Sequence, residues 1–294
     1  HAEPLASGNL DVELPHMDRT DEVGTLNRAF RYMQVSLRKY IDELTSATAK
    51  RERIEGELQI ARDIQMGMVP QTFPAFPERS DIDLHASISP AKEVGGDLYD
   101  YFIKEDNLYF CIADVSGKGV PASLFMAVVR NLFRVVASEG LEPKDIASRI
   151  NDTVSEDNQQ LMFITMFIGL VNLKTGKLSF CNCGHNPPVL LGSKPEFMEC
   201  EPNVPLGIAK GFTFKGQSLQ NLRGTPVLLY TDGLNEAENA THEEFGNNRL
   251  IQCLADNPYK DANSTISVLL SAVAAHVGDA EQSDDLTMLC IKLL

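Results

Sequence analysis

The chain is short of positive charge: 26 Lys and Arg stand against 41 Asp and Glu, a formal net charge of −15 over 294 residues. That balance argues against nucleic acid as a main partner, because gripping a phosphate backbone needs clustered cations. CxxC pairs are missing too. The six cysteines (Cys111, Cys181, Cys183, Cys200, Cys253 and Cys290) fall mostly in apolar, strand-like stretches. They read as buried free thiols in a reducing compartment, not as zinc ligands or a disulfide framework. No apolar run approaches the length of a membrane-spanning helix, and no signal peptide is evident, so a cytoplasmic chain is expected. There is no GxSxG elbow, no Cys-x5-Arg loop and no P-loop, which leaves covalent phosphatase and NTPase chemistry unsupported. What the chain does have is apolar content: at 43% hydrophobic it can bury at least one full core.

The first 20 residues are turn-rich and carry no helical period. From Leu26 a heptad track begins: Leu26, Phe30, Met33, Leu37, Tyr40, Leu44 and Ala47. It resumes in register after Arg51 with Ile54, Leu58, Ala61, a polar Gln65, and Met68. Alternating steps of 4 and 3 mark a coiled-coil seam. Pro70 and the QTFPAFP stretch then end the helix. A helix over 26–68 would be about 65 Å long. Its narrow stripe needs a partner helix, so a homodimer paired in parallel through residues 26–68 is expected.

After Pro77 the texture changes. Apolar runs at about 82–88, 108–115, 163–173, 177–183, 187–191, 225–231 and 285–293 predict strands. Lys174-Thr175-Gly176 suits a hairpin turn. Helical periods appear at about 121–138, 144–159 and 263–277, with Pro121 and Pro143 at first-turn positions. Strands in hairpins and helices in blocks favour an antiparallel α+β layer architecture.

Four chain-distant segments carry aspartate in glycine-flanked or strand-adjoining contexts. They are Asp97 in VGGDLYD, Asp114 in CIADVSGKG, Asp232 in LLYTDGLNEA, and the pair Asp284 and Asp285 in SDDLTML. An aspartate at a strand end can face a cleft while glycine lets the backbone turn sharply. Crowded carboxylates repel one another by about 4 kcal/mol per pair at 4 Å and an effective dielectric near 20. Hard divalent cations remove that repulsion, and oxygen-only ligands suit Mg²⁺ or Mn²⁺.

As a set, VGGDLYD, ADVSGKGVPASL, CGHNPP, PLGI, YTDGLNEA followed by FG, and SDDLT resemble the PPM-type metal-dependent serine/threonine phosphatases. The likeness is to their bacterial SpoIIE/RsbU-like branch and covers roughly residues 58–294. It implies an α-β-β-α sandwich, two antiparallel sheets face to face with helices outside, preceded here by a long coiled-coil helix. It also implies two divalent cations. Asp114 would bridge both, the backbone carbonyl of Val115 and Asp97 would serve one, and Asp232 and Asp284 the other. Asp285 would orient Asp284 or a water, or be the ligand in its place. Glu236 matches a weak third-metal position in some relatives. Lys92 stands where eukaryotic relatives keep a phosphate-contacting arginine, and a lysine lacks its bidentate fork. His185 reads as a structural histidine ahead of a general acid.

The segment PLASGNLDVELP…DRTDEVGTLNRAFRYM resembles the latter half of a HAMP module, with Asp21-Glu22-Val23-Gly24 its most telling quartet. The expected organisation is a truncated HAMP-like segment over 1–45, a signalling helix over 26–69 and a phosphatase domain over 78–294. The branch implies a phosphorylated STAS-type partner as substrate. HAMP modules usually follow a membrane helix, which implies a parent protein at the inner face of a bacterial membrane, joined to it by a segment outside this chain. Two other functions compete: a silent signalling module that keeps the fold, and a metal phosphoesterase for small molecules.

Overall fold

The computed structural model describes residues 10–11, 19–156 and 158–294. Helix α1, Glu22–Met68, runs for 47 residues. The chain divides within it into two compact units, residues 1–59 and 60–294. Part of the HAMP-like reading falls on residues 1–9 and 12–18, outside the described residues.

In the first unit Asp21 caps α1, its Oδ1 accepting from Gly24 N at 3.1 Å. Lys39–Glu43, Arg51–Glu55 and Arg53–Glu57 pair one turn apart, each adding a few tenths of a kcal/mol to the helix. The heptad residues Leu26, Met33, Leu37, Tyr40, Leu44 and Ile54 are all exposed.

The second unit contains two five-stranded sheets. One has the order β1 (Ile82–Ser89), β10 (Leu286–Leu293), β9 (Val227–Tyr230), β6 (Val189–Leu191), β7 (Pro195–Phe197). The other runs β2 (Leu98–Lys104), β3 (Asn107–Val115), β4 (Ile164–Asn172), β5 (Leu178–Cys183), β8 (Gln217–Leu219). All the pairings are antiparallel. The helices are α2 (Val120–Ala137), α3 (Pro143–Glu156), the short α4 (Asp232–Asn235), α5 (Gly246–Asp256) and α6 (Ala262–Val277).

Period-two alternation builds the layers. On β3, Leu108, Phe110 and Ile112 face the other sheet and join Leu289 and Ile291 of β10 in a central core. Their neighbours Tyr109, Cys111, Ala113 and Val115 meet Met126, Val129 and Phe133 of α2 and Ile146 and Ile150 of α3. On β10, Met288 and Cys290 turn outward onto Leu250 of α5 and Ile266 and Leu269 of α6. The result is the α-β-β-α sandwich that the resemblance implies.

Five elements escape the sequence reading: β2, the short β7 and β8, the four-residue α4, and α5. The polar Asp100 and Lys104 interrupt the apolar run of β2. Only Leu250 and Leu254 of α5 are buried, too short a stripe to show a period. The reading also missed that Val120–Ala137 is long and apolar enough, by length and composition, to cross a membrane. Here that helix covers a sheet instead. Its residues Ala122, Met126, Val129 and Phe133 are fully buried, and Arg130 and Arg134 both pair with buried Asp100 of β2.

Candidate functional site

Strand pairing brings the four acidic segments to one end of the sandwich. Leu98 lies opposite Ala113, which puts Asp97, just before β2, beside Asp114, near the end of β3. In the other sheet Met288 lies opposite Tyr230, so Asp232, two residues beyond β9, neighbours Asp284 and Asp285 at the mouth of β10. Side chains stitch the two sheets here. The buried Thr231 hydroxyl donates to Asp97 Oδ2 at 2.8 Å, and Gly96 N donates to Asp285 Oδ2 at 2.6 Å.

The electrostatics follow from crowding. Asp97 is 1% exposed. Burial first, then the charges of Asp114 and Asp285, push its carboxyl well above the usual range. Asp114 is raised to about 7, by burial and then by Asp232 and Asp284. Asp232 is raised by burial and by Asp284. Glu236 is exposed and raised by desolvation and then by Asp232.

Asp284 and Asp285 face different ways. Asp285 is buried and accepts from Ala91 N at 2.8 Å as well as from Gly96 N, so it holds the loop that leads to Asp97. Asp284 Oδ2 lies 2.7 Å from Lys118 Nζ, and its Oδ1 accepts from Asp285 N at 2.9 Å. Val115 is buried, and its carbonyl oxygen would stand 3.1 Å from a Cβ added at Gly96.

Lys92 is exposed, and its carbonyl accepts from Arg62 Nη1 at 3.4 Å. His185 is buried, with Nδ1 2.8 Å from Thr165 Oγ1, and burial lowers its pKa to about 4. A neutral imidazole so placed props β4, where Thr165 faces Asp114 across the register.

This donor set suits hard divalent cations: all oxygen, anionic, partly buried and mutually repelling. Among the described residues, no three His, Cys, Asp or Glu side chains gather tightly enough to hold one ion. Asp97 is turned onto Thr231, Asp284 onto Lys118 and Asp285 onto backbone amides.

Sequence reasoning missed three residues. Lys118 sits between Gly117 and Gly119 in the same segment as Asp114, and Thr231 directly before Asp232. Gln65 registered only as a polar break in the seam. It is buried; its Nε2 donates to Gly95 O at 2.6 Å and its Oε1 accepts from Gly95 N at 3.2 Å.

Gly233 is fixed by close approach, since a Cβ there would stand 2.0 Å from Asp285 O. That backbone cannot yield, so Gly233→Ala is expected to cost about 3 kcal/mol, read from the urea midpoint.

This fold, with carboxylates at one end between its two sheets, is that of a PP2C-type phosphatase domain. The chain belongs to the SpoIIE family: the family model described as "Stage II sporulation protein E (SpoIIE)" matches residues 104–294, well over half of the chain. This family is metal-dependent. A HAMP domain model matches residues 1–39. Among curated proteins the chain is similar to Protein IcfG of Synechocystis sp., 29% identical over 99% of this chain and 49% of that protein. It therefore spans about half the length of that relative. It is also 25% identical to "Phosphoserine phosphatase RsbU" of Bacillus subtilis, over 82% of this chain and 71% of RsbU. Among solved structures, the SiaA-PP2C domain of Pseudomonas aeruginosa shares the fold, with a TM-score of 0.74 at 21% identity, covering 84% of this chain and 99% of that one.

Proposed function

We propose that this chain is a metal-dependent phosphoserine/phosphothreonine protein phosphatase controlled through its N-terminal helix. The observation that carries the reading is the gathering of Asp97, Asp114, Asp232 and Asp284, from four chain-distant segments, at one end of the sandwich. When bound, Mg²⁺ or Mn²⁺ would supply Lewis-acid activation of water and neutralise charge on the phosphoryl oxygens. In this reading two cations would be held by these residues: Asp114 would be shared between them, Asp97 and the Val115 carbonyl would serve one, and Asp232 and Asp284 the other. Asp285 fixes the loop before Asp97. Glu236 borders a weaker third position, and Lys92 meets the phosphoryl group as a point charge.

The proposed substrate is a small STAS-type protein carrying phosphoserine or phosphothreonine, a choice supported by the likeness to a phosphoserine phosphatase. Manganese-dependent phosphate release from such a protein tests this. Turnover that survives excess chelator, or that is faster on nucleotides than on the phosphoprotein, would reject it. The HAMP match supports a parent protein held at the inner face of a membrane.

Control through the helix rests on two observations. The exposed seam of α1 suits a second copy of the helix. Placing lysine at both Leu37 and Leu44 would put charge into that seam, and light scattering should then show monomer where the unmodified chain is a dimer. Further along, Gln65 grips Gly95 through both its amide atoms, so a shift of the helix end reaches the loop that carries Asp97. Removing residues 1–57 is expected to change the Mn²⁺ concentration for half-maximal turnover. Gln65→Ala should raise it about tenfold, the scale of losing an outer support of a metal site. An unchanged requirement in both would remove the regulatory claim.

A further inference from the structure

The geometry points to an exchange at Asp284: the Lys118 ammonium and a divalent cation compete for its carboxylate, and the displaced ammonium becomes a binding group for the substrate phosphoryl. This rests on the phosphatase reading above and adds to it a residue that reading leaves without a role.

Both oxygens of Asp284 are engaged. Oδ1 accepts from Asp285 N at 2.9 Å, and Oδ2 lies 2.7 Å from Lys118 Nζ. The first partner is backbone held at the mouth of β10, so a cation reaching Asp284 takes the place of the second. Lys118 also donates to Ser283 O at 2.7 Å, and these two acceptors hold it to the acidic cluster.

The loop that carries Lys118 is built to let it go. Its start is pinned by Ser116 N donating to Phe163 O at 2.9 Å and by Ser116 Oγ accepting from Phe163 N at 2.9 Å. Its end is pinned where Ser123 N donates to Gly119 O at 3.0 Å, in the first turn of α2. Between these points, Gly117 and Gly119 have positive φ, 91° and 76°, and a Cβ added at either meets no atom within 4 Å. A lysine flanked by open backbone can swing while its anchors stay put. A cation bound at Asp284 would repel the ammonium, yet the tether keeps it beside the site. An anionic phosphoryl group there is its natural new partner.

The test is residue-resolved acetylation of the full chain, read by mass spectrometry. The pair is partly exposed, at 43% and 37%, so Lys118 is expected to label about fivefold faster with saturating Mg²⁺ than in chelator, the upper range for such ion pairs. Adding inorganic phosphate to the Mg²⁺ form should restore protection. Calorimetry of Lys118→Met should show Mn²⁺ binding tightened by about the same factor. Labelling indifferent to Mg²⁺, or unaltered Mn²⁺ affinity in the variant, overturns the exchange; lack of protection by phosphate overturns the phosphoryl role. Failure of the unmodified chain to hydrolyse any phosphoprotein would count against the phosphatase reading alone, because labelling and calorimetry measure the exchange without turnover.

Discussion

Asp114→Asn should abolish phosphate release and, in chelator, raise the melting temperature. The two effects have one cause. Asp114 sits among Asp97, Asp232, Asp284 and Asp285, and burial, followed by the charges of Asp232, Asp284 and Asp285, lifts its pKa to about 7. Its charge is therefore a burden on the folded chain whenever no cation offsets it. Asparagine keeps the shape and removes the charge, so the fold gains stability while the proposed bridging ligand is lost. Turnover should fall by at least about a hundredfold, the scale for deleting one preorganised electrostatic partner in an active site. A higher melting temperature alongside lost activity cannot come from misfolding. Near-normal turnover in this variant would show that the bridging assignment is wrong.

The second large effect is linkage between pH, metal and stability. The folded-state pKa of Asp114 is raised, so between the unfolded value of 3.8 and about 7 the native chain binds more protons than the unfolded one. Stability must then fall as pH rises across that window and level off above it. Asp97, raised by burial and by its acidic neighbours, acts in the same direction. In chelator, calorimetric scans should show the melting temperature dropping by several degrees from pH 5 to pH 7.5. Mn²⁺ at one hundred times its dissociation constant adds about 2.7 kcal/mol, and it should help most at the upper end, where the carboxylates are charged. A melting temperature in chelator that rose across this window would contradict the crowded-carboxylate description.

Much of this could be seen in the chain before its fold was known. The acids at strand ends were visible because each sits against a β-rich run or a glycine, and β3 and β10 were visible as apolar runs. What stayed hidden depended on partners far away in sequence. Strand β2 carries Asp100, which looks like a loop residue until Arg130 and Arg134 of α2 close on it. Gln65 reads as a flaw in a hydrophobic seam, yet its amide completes the backbone hydrogen bonding of Gly95 thirty residues on. Asp284 and Asp285 are equivalent as letters. Only the fold shows that one meets backbone amides and the other an ammonium. The short strands β7 and β8, three residues each, are too brief to carry a pattern of their own.

The position of β10 also has a consequence for how the protein is made. The strand lies between β1 and β9, so an interior slot of one sheet is filled by the most C-terminal of the described strands. Ile82 pairs with Leu293, a separation that makes this closure slow. Until the segment from Ser283 onward leaves the ribosome, β1 and β9 have no common neighbour, and neither Asp284 nor Asp285 has reached the cluster. A nascent chain from which this strand has not yet emerged therefore lacks two of the clustered carboxylates, and the acidic cluster is completed only when β10 slides in between β1 and β9.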